Sequence, residues 1–159
     1  MTPIAIFLDI RSTENVGAMF RTADAAGISK IYLAGYTASP TDRFGRPRKD
    51  IAKSALGAEK NVAWESVPKV LPLLQTLKKE GYAIVAIEQN KNSIDYKKLN
   101  KKLARKVKIT FLVGNEVTGI PDNILKHADI IAEIQMKGGK ESLNVATAFG
   151  IALFRILDI

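Results

Sequence analysis

Five short apolar runs constrain this chain more than any other feature: Ile4–Asp9, Ile28–Ala34, Tyr82–Ile87, Ile109–Gly114 and Asp129–Ile134. Each is rich in Ile and Val and does not alternate apolar with polar residues. That pattern predicts strands covered on both faces, as in a parallel sheet. Helical periods lie between the runs. Val16, Phe20, Ala23 and Gly27 fall at i, i+4, i+7 and i+11 behind Ser12 and Thr13 as candidate caps, and Gly27 is placed to end that helix in a left-handed conformation. Ser66–Glu80 sets Val67, Val70, Leu71, Leu74 and Leu77 on one face, with Gly81 as the stop. Leu99, Leu103 and Val107 mark a shorter helix whose other faces are Lys and Arg. The alternation predicts an α/β domain with a mostly parallel sheet and helices on both faces. At 159 residues, a single domain over 1–159 is expected.

Two segments depart from the pattern. Ala38–Ala58 has no clear period and contains Pro40, Gly45, Pro47 and Gly57, so it reads as a long loop of the kind that is usually functional. From Leu143 to Ile159 the apolar residues surround the helix axis. Helices pack on the outside of a small sheet domain, so this one predicts a subunit interface and a homodimer. It is short for a bilayer and carries Asn144, Arg155 and Asp158, so no membrane span is expected. The N-terminus lacks a basic region followed by a small-residue cleavage site, and a soluble cytoplasmic protein is the expectation.

Lys and Arg number 24 against 16 Asp and Glu, a net charge of +8 that points to a polyanionic partner, most simply nucleic acid. Half of the basic residues fall in two stretches, Arg43–Lys53 and Lys97–Lys108. In the first, Arg43, Arg46, Arg48 and Lys49 are candidates for phosphate contact, with a merely solvated loop as the simpler reading. The absence of cysteine excludes disulfides, thiolate metal sites and cysteine nucleophiles. A single histidine, His127, excludes a histidine-rich metal centre, and no metal is expected.

Common enzyme signatures are missing: no Gly-Lys-Ser/Thr follows Gly114 and Gly119, no Gly-x-Gly-x-x-Gly follows a strand, and there is no Gly-x-Ser-x-Gly elbow. Three other clusters lie at ends of predicted strands, where open α/β sheets bind ligands. The first is Asn15-Val-Gly17-x-x-x-Arg21. Asn15 and Arg21 face different ways on an ideal helix and converge only if Asn15 precedes it; a surface pair of Arg21 with Asp24 is the simpler role. The second is Phe111-Leu-Val-Gly114-Asn115-Glu116-x-x-Gly119-Ile-Pro121, where Gly114 allows positive φ or close backbone approach by a ligand. The third runs from Ile134 through Met136, Gly138 and Gly139 to Ser142, Leu143 and Asn144. Ser142 is a natural cap for the last helix, and the Asn144 amide within an apolar helix needs a hydrogen-bond partner.

Taken in order, NVGAMFRTADAAG, FLVGNEVTGIP and IQMKGGKESLNVATAFGIALF resemble the SPOUT superfamily, specifically the SpoU or TrmH-like RNA ribose 2′-O-methyltransferases. KSALGAEKNVAWE resembles the family's middle region, and the similarity spans Ile4 to Leu157. The resemblance implies an α/β fold with a C-terminal deep trefoil knot, an obligate dimer and S-adenosylmethionine held in the knotted loops. Carried over residue by residue, it implies cofactor contacts at Gly114, Ile134 and Leu143, with Met136 and Ile87 as further candidates. Arg21 matches the family's catalytic arginine, and Asn15, Glu116, Ser142 and Asn144 match its polar active-site set. Gln135 stands where many relatives have proline, a departure in the cofactor loop.

The function so implied is methylation of a ribose 2′-hydroxyl in RNA, with tRNA slightly favoured over rRNA. A guanidinium does not give up its proton in proteins, so the expected role of Arg21 is to hold a phosphate and stabilise the 2′-oxyanion rather than to take a proton. The alternatives are a catalytically idle RNA-binding module on the same scaffold and a base methyltransferase of a neighbouring SPOUT family. Asn15, Arg21, Glu116, Ser142 and Asn144 occurring together disfavour the first.

Overall fold

In the computed structural model of the chain, which describes residues 2–99 and 108–159, seven strands among the described residues form one sheet. They are β1 (Ile4–Leu8), β2 (Lys30–Ala34), β3 (Ala63–Val67), β4 (Tyr82–Ile87), β5 (Ile94–Asp95), β6 (Lys108–Val113) and β7 (Ile130–Glu133). Their order is β3-β2-β1-β6-β4-β7-β5, and every neighbouring pair is parallel. All strand C-termini therefore open on one edge, which is where a ligand site is expected. The helices are α1 (Thr13–Ala25), α2 (Lys49–Ala55), α3 (Ala58–Asn61), α4 (Val70–Lys79), α5 (Asp122–Leu125) and α6 (Val145–Leu157).

Successive strand residues point to opposite faces, and each face is covered. Ala5, Phe7, Phe111 and Val113 pack with Val16, Phe20, Ile51, Phe149 and Leu153, beneath α1, α2 and α6. Ile4, Ile6, Leu8 and Leu112 pack with Leu74, Leu77, Ile124 and Leu125, beneath α4 and α5. Edge-to-face contacts of Phe7 with Phe20 (6.2 Å) and Phe149 (5.4 Å) tie β1 to α1 and α6. Each such contact contributes about 0.5–1.5 kcal/mol beyond its buried area. The trio fixes α1 beside α6.

The fold departs from the expected pattern at three places. First, β3 and β5 were not expected, and the helix placed at Ser66–Glu80 begins only at Val70. Val67 precedes Pro68, which disfavours helical backbone at that residue, so the segment stays extended and pairs with β2. Second, the stretch Ala38–Ala58 is not all loop. Ile51 and Ala55, four apart, are buried on α2, too short a period to stand out among the prolines and glycines. Third, the last helix starts at Val145 rather than Leu143. Leu99 is buried after a 3-10 turn at Tyr96–Lys98, and the helix expected through Leu103 and Val107 lies outside the described residues. Gly27 and Gly81 do close α1 and α4 with positive φ. No helix among the described residues is long and apolar enough to cross a membrane.

Candidate active site at the strand ends

The site grows from the turn after β6. Asn115 is buried and its amide is fully used: Nδ2 donates to the Asp9 carbonyl (2.9 Å) and Tyr36 hydroxyl (2.6 Å), while Oδ1 accepts from the N–H groups of Val117 (2.8 Å) and Thr118 (2.9 Å). These bonds pin the turn to the ends of β1 and β2. Asp9 adopts φ +53°, a conformation worth about 1–3 kcal/mol of strain in a non-glycine residue. It is held there because its carbonyl takes Asn115 and its carboxylate takes the Tyr36 N–H (3.1 Å).

Gly114 has ordinary φ; its requirement is space. A Cβ there would lie 2.6 Å from Ile120 Cγ1 and 2.8 Å from the Gly119 carbonyl. The close backbone approach expected at this glycine is thus made by the chain's own turn. Gly119 does need positive φ (+67°), and the Glu88 carboxylate packs against it while accepting the N–H groups of Ile120 (2.9 Å) and Gln89 (2.8 Å).

One residue beyond Asn115, Glu116 reaches the start of α1. Its carboxylate accepts the N–H groups of Arg11 (2.9 Å) and Ser12 (2.9 Å) and the Asn15 amide (3.0 Å). Burial pushes this carboxyl up, but the Arg11 N–H, the Asn15 side chain and the Ser12 N–H together pull it below the usual carboxylate range. Glu116 is therefore an anion at the helix N-terminus, where the dipole favours one. Asn15 Oδ1 in turn accepts from Asn144 Nδ2 (3.0 Å), and Asn144 Oδ1 caps α6 at Ala146 (2.9 Å) and Thr147 (3.2 Å). A continuous polar seam, Glu116–Asn15–Asn144, thus joins three elements distant in sequence.

Two adjoining clefts flank the seam. The first, about 340 Å³, is lined by Ile87, Gly114, Ile134, Met136 and Leu143, together with Glu116 and Ser142. The second, about 440 Å³, is lined by Asn15, Glu116, Leu143 and Asn144. Glu116 and Leu143 belong to both walls. All five residues singled out for a cofactor thus meet in one cleft, a volume in the range of small-molecule sites.

Arg21 is not among them. It is exposed on α1, lines neither cleft and has no ion pair among the described residues, while Asp24 takes the Asn61 amide instead (3.3 Å). Asn15 sits in the first turn of α1, not ahead of it, so the condition for its convergence with Arg21 is unmet. Ser142 is not the cap of the last helix; Asn144 holds that position, because its Oδ1 reaches two helical N–H groups. The same bonds answer why a polar amide sits there. Of the basic loop residues, Arg46 pairs with Asp42 (2.8 Å) and Arg48 with Asp50 (2.8 Å), Arg43 has no ion pair among the described residues, and Lys49 is exposed at the start of α2.

Sequence reasoning passed over Glu88, Asp9 and Tyr36. Glu88 had a visible signal, a carboxylate directly after the apolar run of β4. Tyr36 had none, since nothing local indicates that its hydroxyl meets Asn115.

The SpoU rRNA Methylase family model matches residues 3–154. The chain is 29% identical over 156 residues to the 23S rRNA (guanosine-2′-O-)-methyltransferase RlmB of Pseudomonas aeruginosa, covering 98% of this chain and 58% of that one. It is 33% identical over 153 residues to the tRNA (guanosine(18)-2′-O)-methyltransferase of Aquifex aeolicus, covering 95% and 67%. The chain thus spans about three-fifths to two-thirds of the length of these relatives. Among solved structures, an AdoMet-bound rRNA methyltransferase from Sinorhizobium meliloti superposes with a TM-score of 0.84 at 29% identity, covering 98% of this chain and 55% of that one. A TrmH/SpoU tRNA modifying enzyme from A. aeolicus gives 0.81 at 27%, covering 98% and 73%. With nearly all of its length matched by one family model and by relatives on the same fold, the chain belongs to the SpoU rRNA Methylase family.

Proposed function

We propose that the chain methylates a ribose 2′-hydroxyl in RNA with S-adenosylmethionine as donor. The observation that carries this reading is the shared wall: Glu116 and Leu143 separate a cofactor-sized cleft from a second opening that leads to Asn15 and Asn144. The cofactor cleft offers apolar side chains from Ile87, Ile134, Met136 and Leu143 beside backbone groups of Gly114, a fit to a molecule with both apolar and polar parts. When bound, S-adenosylmethionine supplies an electrophilic methyl group on a sulfonium.

The chain's own part is positioning and charge. Glu116, fixed as an anion, orients Asn15, and Asn15 and Asn144 hold each other across the mouth of the second cleft. Such groups, already in place, contribute by geometry rather than by proton transfer. The Arg21 guanidinium is assigned to a substrate phosphate and the 2′-oxyanion. Since it lies off both clefts, it acts at the site of a second copy. α6 supports that pairing: its outer face shows Ile151 and Phe154. Residues 134–144 run from β7 toward α1, held by a bond from Gln89 Nε2 to the Glu141 carbonyl (2.8 Å), and we read this passage as the trefoil knot. Transfer RNA is the first substrate to try and ribosomal RNA the second; the relatives' names include both.

The position of Arg21 favours one alternative, an idle RNA-binding module. Calorimetry with S-adenosylmethionine separates the two, because an idle module gives no heat. The direct test is transfer of labelled methyl to total tRNA and to rRNA, followed by digestion to nucleosides. A 2′-O-methylnucleoside formed by the wild type and not by Arg21→Ala is the expected result. Arg21→Lys with undiminished turnover would remove the planar, bidentate role assigned to the guanidinium.

A further inference from the structure

The segment between β2 and α2 ends in a small hairpin that neither the clefts nor the seam use. A bridge between Thr41 and Pro47 closes it. Within it, the Asp42 carboxylate accepts the N–H groups of Phe44 (2.8 Å) and Arg46 (3.0 Å) and the Arg46 guanidinium (2.8 Å), so the turn is set by its own bonds. At its tip Phe44 is 66% exposed, although a phenyl ring is normally buried. The Arg43 guanidinium lies 4.7 Å and that of Arg46 5.0 Å from the centre of the ring. An exposed ring with two cations over it matches one chemistry closely: a nucleobase takes the place of a guanidinium on the ring, and the displaced cation meets a neighbouring phosphate.

We propose that Phe44, flanked by Arg43 and Arg46, is a stacking platform for an unpaired base of the RNA substrate. The inference rests on the RNA reading above and goes beyond it in naming the structural class recognised. Bases in an A-form duplex keep their faces against one another, so only a loop, bulge or end can offer one to the ring. The location suits that use. The hairpin hangs from the C-terminal end of β2, the same sheet edge as the clefts, and Tyr36 at the start of its segment is bonded to Asn115 in the site.

The test uses the full chain, a labelled single-stranded RNA of mixed sequence and the duplex made from it, with binding read by anisotropy. Phe44→Ala is expected to weaken single-strand binding about 5- to 150-fold, the range for losing one base–aromatic stack. It leaves duplex binding, the salt dependence and the heat of S-adenosylmethionine binding unchanged. Phe44→Tyr and Phe44→Trp retain affinity, and Phe44→Leu behaves like alanine. Equal weakening of single strand and duplex, no weakening, or rescue by leucine would overturn the platform while leaving the RNA reading intact. Failure of the wild type to bind either RNA would sink the RNA reading and the platform with it. A change in oligomeric state on Phe44→Ala would give the tip to a contact between copies of the chain instead.

Discussion

Glu116 and Asp42 each accept two backbone N–H groups and one side-chain donor, yet the two carboxylates organise the molecule on different scales. The partners of Glu116, namely Arg11, Ser12 and Asn15, lie more than 100 residues away in sequence. Those of Asp42 lie within four residues. The seam around Glu116 therefore exists only when α1, the end of β6 and the start of α6 are all in place, whereas the hairpin tip is set by its own turn. A reaction centre needs the first kind of order, because groups from several elements must meet at fixed distances. A recognition tip needs only to present its ring and charges, and local bonds suffice.

Substitution separates the two carboxylates most visibly at Glu116. Glu116→Gln keeps the shape but loses the charge that three donors face; hydrogen bonds to a charged group contribute roughly 1.5–3 kcal/mol net. Denaturant unfolding should show a loss of that order, while Asp42→Asn should change global stability by less than about 0.5 kcal/mol, as for most surface changes. Methyl transfer should fall roughly 100-fold with Glu116→Gln, since a misplacement on the order of 1 Å has that effect. The pH dependence has a definite sign. The folded Glu116 carboxyl sits below its ordinary value of 4.5, so the unfolded chain takes up the proton more readily. Its stabilising contribution is complete above that value and is lost as pH falls through the lower folded one. The wild type should therefore lose part of its stability advantage over Glu116→Gln on acidification below about pH 4.5. Equal acid sensitivity of the two would leave Glu116 without the linkage inferred here.

Gly17 connects the two regions and shows what a sequence hides. Its place in Asn15-Val-Gly17-x-x-x-Arg21 suggests a role in the site, but its surroundings are those of packing: a Cβ would collide with Ser54 Oγ and the Ile51 carbonyl on α2. Ser54 also donates to the Glu14 carbonyl (3.0 Å), so α2 is clasped to α1. Gly17→Ala should lower stability by about 1–3 kcal/mol, the usual range for overpacking, because one of the colliding atoms is backbone. An unfolding midpoint equal to wild type would mean that α2 can shift away freely, and the tip with it. The sheet and both helical layers were legible because burial leaves β1 and β4 as apolar runs and interrupts β6 only at Thr110. β3 was not legible, since an edge strand with Glu65 and Ser66 exposed carries no such run. In the site, the five residues that line the first cleft could be picked out from strand ends and from family resemblance. The bonds of Glu116 to Arg11 and of Tyr36 to Asn115 could not, because they depend on which strands become neighbours.

Asn144 does two things that substitution can separate. Its Oδ1 caps α6, and its Nδ2 holds Asn15. Asn144→Ala loses both and should cost about 1 kcal/mol of stability, the usual worth of a cap. Asn144→Ser retains a capping oxygen and loses the donor to Asn15, so unfolding should stay near wild type while methyl transfer falls as in the alanine variant. Full activity in the serine variant would show that the seam ends at Asn15.

The smallest expected effects lie at the hairpin and the helix after it, and they turn on whether a charge is already paired. Each cation that neutralises a phosphate of a single strand adds about 0.7 to the slope of log affinity against log salt. Arg43 has no ion pair among the described residues, so Arg43→Ala should flatten that slope by most of this amount. Arg48 is held bidentate by Asp50, through Nε at 3.2 Å and Nη2 at 2.8 Å. It has less charge to give, and Arg48→Ala should change the slope by a smaller step. Removing Asp50 by Asp50→Asn frees the guanidinium and should steepen the slope. If Arg43→Ala and Arg48→Ala flatten it equally, Asp50 releases Arg48 when RNA arrives, and the basic segment would reorganise on binding rather than meet its ligand preset.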